Sequence, residues 1–358
     1  MRPTVMEIDL KNFSENMNNI QKYVGNKKLI PVIKANGYGT YVNKCIDVIS
    51  KYEIVAVAIA QEAVELRKLG FKNEILILNQ PFKSDIQDII ENNVTIGLSE
   101  NSFLEDLNNI NHKIKVHFEI ETGMNRTGIK LENLNEFIDK VKQNKNIIVE
   151  GVYTHLSSAD FDEEYTNKQL DTFKKAVQII KSNFDEIKYI HSSASNGLLK
   201  FDDGVSNYTR PGIIMYGYES YEGVKDMLDI KPIATLKTKV SYLKDVEEGE
   251  TISYSRKYKA KSKIKVATIP IGYADGFRRE LFGKGEVVIN NQKAPIIGTI
   301  CMDSLMVDVT GIENVKVGTD VYIWDNIIIT LEDIANKCNT INYEILCTIS
   351  NRVPRVYK

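Results

Sequence analysis

Apolar runs alternate with amphipathic stretches through the first two thirds of this chain. Leu10, Phe13, Met17 and Ile20 recur at spacings of three and four, which predicts a helix over 9–24. A short continuous apolar run at 29–33 then predicts a buried strand. The pair repeats, with strands expected at 55–60, 75–78, 95–98, 115–121, 148–156, 189–193 and 213–216. Helical patterns at 41–51, 63–70, 85–92, 103–110, 131–142 and 169–182 lie between them. Apolar strands alternating with helices imply a parallel sheet with both faces buried. Eight such strands within about 230 residues predict an α/β fold of the (β/α)8 TIM-barrel type. An open doubly wound sheet is the alternative, because periodicity does not report closure. No G-x-G-x-x-G follows the first strand, which argues against a dinucleotide fold.

The texture changes near residue 230. Short β-branched runs at 235–246, 263–270, 286–290, 305–309 and 320–324 are punctuated by Gly249, Gly272, Gly285, Gly298 and Gly318. This predicts a C-terminal all-β domain. The expected boundaries are 1–230 for the barrel and 231–358 for the β domain.

Composition narrows the function classes. Lys+Arg 46 against Asp+Glu 48 leaves a net charge of -2, with no electrostatic footprint for nucleic acid or an anionic membrane. Cys45, Cys301, Cys338 and Cys347 contain no C-x-x-C, and their spacing suggests neither a zinc site nor a disulfide framework. The first residues have no signal-peptide h-region, and no apolar run is long enough to span a bilayer. A cytoplasmic location is the expectation.

Candidate chemistry sits where a barrel would carry it, at the C-terminal ends of strands. The first strand runs into Lys34-Ala35-Asn36-Gly37-Tyr38-Gly39. Desolvation disfavours an ammonium, so a lysine there can present a free amine to a carbonyl compound. An ordinary lysine snorkelling at a strand end is the plainer alternative. Glu121-Thr122-Gly123-Met124-Asn125-Arg126 follows the fifth strand, and His155 ends the sixth. Ser192, Ser193 and Ser195 end the seventh, and Tyr208-Thr209-Arg210-Pro211-Gly212 precedes the eighth. Singly, His155 reads as a core histidine, the arginines as surface ion pairs and Ser195 as part of a helix cap. Together at one barrel face they point to a site.

These segments resemble the motifs of the alanine racemase family. V-x-K-A-N-x-Y-G is matched around Lys34, T-G-M-x-R-x-G at 122–128, T-H-x-x-x-A-D at 154–160 and R-P-G-x-x-x-Y-G at 210–217. I-G-Y-A-D-G is matched at 271–276, I-C-M-D at 300–303 and N-Y-E-x-x-C-x-I-x-x-R-V-P-R at 342–355. The resemblance therefore spans the whole chain. It implies pyridoxal phosphate (PLP) as cofactor, held by Lys34. Tyr38, Ser195, Gly212, Ile213 and Tyr343 would serve its phosphate, and Arg210 would face its ring nitrogen. An arginine cannot give up its proton, so that nitrogen stays neutral and proton return to Cα is favoured over side reactions.

Racemisation needs proton exchange on both faces of Cα. The resemblance makes Lys34 one base and Tyr273 the other, with His155 and Arg210 stabilising the phenolate. Arg126 and the Met302 backbone N–H would hold the substrate carboxylate. It also implies a head-to-tail homodimer with shared sites, in which Tyr273, Met302 and Asp303 come from the partner. The family often carries a carbamylated lysine where this chain has Glu119, and Glu119 is expected to supply the anion to Arg126 directly. Thr40 and Ala194 are two further departures, replacing a histidine and an asparagine. The resemblance implies alanine interconversion for peptidoglycan. A serine or broad-specificity racemase is an alternative, as is a PLP homeostasis protein, which would resemble the barrel alone. Arg210 and the C-terminal motifs disfavour a related-fold decarboxylase.

Overall fold

The computed structural model describes residues 2–108 and 110–358. The chain divides into two compact units, and the division is not a single cut near residue 230. One unit comprises Ser14–Gly37 and Val42–Ile230; the other comprises the chain up to Phe13, Tyr38–Tyr41 and Lys231–Lys358. The difference arises because the first strand, β1 (Val5–Ile8), pairs antiparallel with a strand beginning at Ala234.

In the first unit the strands are β2 (Lys28–Leu29), β3 (Ile54–Val57), β4 (Glu74–Ile77), β5 (Thr95–Leu98), β6 (Ile114–Glu121), the short β7 (Ile129–Lys130), β8 (Ile147–Tyr153), β9 (Tyr189–His191) and β10 (Tyr208–Thr209). β3, β4, β5, β6, β8 and β9 form a parallel ladder in that order. The ring is closed by parallel pairing of β10 with β2, a bridge from Val32 to Ala56 and a bridge from Ala194 to Arg210. Parallel strands covered on both faces need apolar side chains throughout, and Ile54, Val55, Ala56, Ile75, Leu76 and Ile96 are fully buried.

The eighth strand is not where periodicity placed it. β10 supplies it, and Ile213–Tyr216 forms a 3-10 turn with all four residues buried. A short buried apolar run does not distinguish strand from helical turn. Pro211 and Gly212 break the extended backbone before it, with Gly212 at φ -119°, ψ -107°.

The second unit adds β11 (Ala234–Lys239), β12 (Tyr242–Val246), β13 (Thr251–Ile252), β14 (Tyr258–Lys259), β15 (Ile264–Ile269), β16 (Glu286–Ile289), β17 (Gln292–Ile297), β18 (Leu305–Asp308), β19 (Asp320–Trp324) and β20 (Arg355–Tyr357). A nine-stranded sheet runs β12-β15-β18-β17-β16-β19-β11-β1-β20, antiparallel except for β1 beside β20. The run expected at 235–246 is two strands, and β17 was not anticipated. β17 contains Pro295, but Asn290 and Asn291 take positive φ and close a hairpin with β16. The unit also carries two helices, Leu331–Lys337 and Asn342–Thr348. The first opens on a Thr330/Asp333 capping box.

No helix among the described residues is long and apolar enough to cross a membrane.

Candidate active site

In the barrel unit, Lys34 lies just past the first strand. The backbone then turns left-handed: Ala35, Asn36 and Gly37 have φ/ψ of 53/48°, 54/47° and 59/47°. For L-residues this costs roughly 1–2 kcal/mol each, and it persists only where the surroundings impose it. Part of the imposition is visible. The Glu62 carboxylate accepts the Ala35 N–H at 2.5 Å and the Ala58 N–H at 2.7 Å. The Gly37 N–H donates to the Ile33 carbonyl at 2.9 Å. Glu62 was not singled out from the sequence, because nothing in a helical Gln-Glu-Ala-Val pattern marks a carboxylate that reaches back to a neighbouring loop.

Ser195 and Arg210 lie beyond the ends of β9 and β10. Ser195 is buried, and its hydroxyl accepts the Gly212 N–H at 3.0 Å. Arg210 is 2% exposed. Its guanidinium donates to the carbonyls of His191 (2.7 Å), Thr154 (2.6 Å) and Ser192 (3.1 Å), and to His191 Nδ1 at 2.6 Å. A guanidinium has only donors, so His191 Nδ1 must accept and its proton sits on Nε2. Nε2 in turn lies 3.0 Å from His117 Nδ1. Among the described residues the second His117 nitrogen has no hydrogen-bond partner, with Glu150 3.9 Å away. The Tyr153 ring stacks on His191 at 5.1 Å. Among the described residues no carboxylate is hydrogen-bonded to Arg210, and burial pushes its pKa down to about 10. It is a cation at neutral pH. His191, His117 and Tyr153 were missed as site residues because they stand at ordinary inward positions of apolar strands.

His155 follows β8. Burial first, then Arg210, Arg126 and Lys34, push its pKa down to about 3, so the imidazole is neutral. Glu119 is 5% exposed within β6. Burial raises its carboxyl pKa, against the opposing pulls of the Thr127 hydroxyl, Arg126, Tyr153 and Arg210. The Tyr153 hydroxyl proton is committed to the Leu78 carbonyl at 2.8 Å. Arg126 is exposed and acts on Glu119 through space, and no ion pair joins them among the described residues. The expected direct charge-assisted bond is absent. Thr127, adjacent in sequence, takes the hydrogen bond to Glu119.

The second unit carries the remaining residues. Tyr273 and Met302 are 43% and 52% exposed. Two backbone hydrogen bonds join their segments: the Tyr273 N–H to the Cys301 carbonyl (3.1 Å) and the Ala274 N–H to the Met302 carbonyl (3.0 Å). A Cβ on Gly272 would lie 2.4 Å from both carbonyl oxygens, so only glycine allows this approach. Asp303 pairs with Arg352 at 2.7 Å. The rings of Tyr38 and Tyr343 lie 5.9 Å apart.

The barrel rim is thus a set of donors: the Lys34 amine, the Ser195 hydroxyl, which accepts the Gly212 N–H and keeps its own proton to donate, and the Arg210 guanidinium. Such a set suits a phosphorylated aldehyde with an acceptor nitrogen, and PLP fits that description.

Family models describing the N-terminal and C-terminal domains of alanine racemase match residues 8–220 and 233–357. An alanine racemase from Halothermothrix orenii is 38% identical over 370 residues, covering 100% of this chain and 97% of the relative. Alanine racemase 1 of Clostridium acetobutylicum is also 38% identical, covering 100% and 96%. Among solved structures, alanine racemase of Clostridium difficile superposes with a TM-score of 0.95 at 36% identity, covering 99% and 96% of the two chains. With both domains matched along nearly the full length, the chain belongs to the alanine racemase family.

Proposed function

We propose that this chain is a PLP-dependent alanine racemase, interconverting L- and D-alanine and supplying D-alanine for peptidoglycan from a cytoplasmic location. The observation that carries the reading is Arg210: a buried cation, donor only, with no carboxylate hydrogen-bonded to it among the described residues. When bound, PLP supplies an electron sink that acidifies the substrate's Cα–H. Lys34 would hold the cofactor. Tyr38, Ser195, Gly212, Ile213 and Tyr343 would serve its phosphate. Arg210, which has only donors, would face the ring nitrogen without protonating it, which would keep the sink weak and favour return of the proton to Cα.

Two bases act on opposite faces of Cα. The Lys34 amine exchanges the proton of D-alanine, and the Tyr273 phenolic oxygen exchanges that of L-alanine. Neutral His155 and cationic Arg210 stabilise the phenolate. Arg126 and the Met302 N–H hold the substrate carboxylate and so orient Cα–H between the bases. We further propose that Tyr273, Met302 and Asp303 reach this site from the partner of a head-to-tail homodimer.

The test is a racemisation assay with purified protein and PLP over a panel of L-amino acids, read by chiral chromatography. Turnover of alanine well above serine and larger substrates supports the reading. Serine turnover equal to or above that of alanine would reassign the chain to a serine or broad-specificity racemase, and no turnover of any substrate would overturn it.

A further inference from the structure

Tyr273 stands in a turn that one residue from the far end of the chain grips. The turn, Tyr273–Asp275, is a single 3-10 turn bounded by Gly272 and Gly276. Asp275 is fully buried beneath it. Its carboxylate accepts the Gly272 N–H at 2.9 Å, and its own N–H donates to the Gly272 carbonyl at 3.0 Å. Arg2 meets this carboxylate in a fork, Nη1 to Oδ1 at 2.5 Å and Nη2 to Oδ2 at 2.6 Å. The same Nη2 donates to the Pro270 carbonyl at 2.5 Å. One guanidinium therefore ties together the strand end before the turn and the carboxylate inside it.

The turn is coupled to the substrate-carboxylate segment. Its N–H groups bond the Cys301 and Met302 carbonyls, and Arg352 bridges Asp303 (2.7 Å) and Asp275 (3.6 Å). The Tyr273 ring is itself 43% exposed, so packing does not hold it within this unit. Its placement depends on the backbone turn, and the turn depends on Asp275.

We infer that Arg2 is a positioning residue for the reaction: its forked bond to Asp275 sets the turn that aims Tyr273 at the L-face of the substrate. The inference rests on the reading of Tyr273 as the second base. The chemistry asks for arginine. A planar fork fixes both carboxylate oxygens and still reaches Pro270, whereas lysine presents one point charge without that geometry. Although burial raises the Asp275 carboxyl pKa, the Arg2 hydrogen bond and the Gly272 amide bring it below its ordinary value, so it is a carboxylate here. Without the fork, that buried charge keeps the Gly272 N–H, and its nearest cation is Arg352 at 3.6 Å.

A residue that only stabilised the fold would affect both proton transfers alike. A residue that aims Tyr273 affects one. The test is α-deuterium exchange into solvent from deuterated L-alanine and D-alanine, measured by mass spectrometry on holoenzymes of wild type, Tyr273→Ala and Arg2→Lys. Arg2→Lys keeps the charge and is the mildest change, and thermal midpoints establish that it is folded. The expected result is a loss of roughly tenfold or more in exchange from L-alanine, with exchange from D-alanine within about threefold of wild type, because a small misplacement of a reacting group suffices for such a loss. Arg2→Ala should show the same asymmetry, larger. Equal losses from both enantiomers, or no loss, in Arg2→Lys while Tyr273→Ala is asymmetric would overturn the role of Arg2 and leave the two-base reading intact. Symmetric loss in Tyr273→Ala would overturn the two-base reading and this inference with it.

Discussion

Glu119 is the residue whose environment most changes the chemistry expected of it. A carboxylate placed to neutralise Arg126 would make a short pair. Instead Glu119 is buried, its pKa is raised by that burial, and Arg126 acts on it at a distance. Through-space attraction to an exposed guanidinium is worth only about 0.2–1 kcal/mol. Glu119→Gln, which keeps the shape and removes the charge, should therefore raise KM for alanine less than about threefold and leave kcat near wild type. A tenfold rise in KM would reinstate a direct charge role. The candidate residues themselves were legible in sequence: lysine, histidine, serine and arginine each follow an apolar strand, where a barrel places its site. Their supports were not. His191, His117, Glu62 and Arg2 act through hydrogen bonds to segments distant in sequence, and no local pattern records those contacts.

At the scale of elements, the backbone runs left-handed from Ala35 to Gly39. Gly39 has φ +77°, and a Cβ there would lie 2.4 Å from the Leu346 carbonyl oxygen in the helix that carries Tyr343. Gly39→Ala combines a disfavoured backbone with a clash against backbone, so the loss of stability should be roughly 2–3 kcal/mol. Because Tyr38 and Tyr343 flank this contact, the variant should also lose PLP faster on dialysis. An unchanged urea midpoint would show that the segment relaxes without strain. The turn was legible as Asn-Gly followed by Gly; its hand was not, because Ala35 and Tyr38 also take positive φ and neither residue type signals it. The misplaced eighth strand has a related origin. Ile213–Tyr216 is apolar and buried, and burial alone produces the same sequence signature in a strand and in a 3-10 turn.

For the whole molecule, buried histidines set the response to acid. His117 and His155 are depressed to about 3 and His191 well below its ordinary value, in each case chiefly by burial. The folded state excludes protons that the unfolded state binds below about pH 6.5, so stability rises with pH from about 3 to 6.5 and falls on acidification. Each group contributes up to about 1.4 kcal/mol per pH unit across that window. Glu119 and Glu150, raised by burial, act in the opposite sense above their ordinary value of 4.5. The steepest loss should therefore come below about pH 4.5, where only the histidines and the depressed carboxylates such as Asp203 and Asp275 remain. Urea midpoints of the holoenzyme at pH 7.5, 6, 5 and 4 should fall monotonically; a flat profile would mean that the histidines are protonated in the fold. The barrel and the sheet unit were both legible from hydrophobic periodicity. The assignment of β1 to the C-terminal unit was not, since strand pairing across the full chain length leaves no periodic trace.

In the proposed assembly Lys34 and Tyr273 serve one active site from two chains, and complementation is the decisive experiment. Lys34→Ala and Tyr273→Ala chains should each be inactive in racemisation alone. After co-refolding, a mixed dimer would hold one site with both bases intact and one with neither. Random pairing then predicts roughly a quarter of wild-type activity, from half the dimers with one working site each. Recovery near that level, in a mixture shown by native mass spectrometry to contain mixed dimers, is the expected result. No recovery in the presence of those mixed dimers would contradict the shared site.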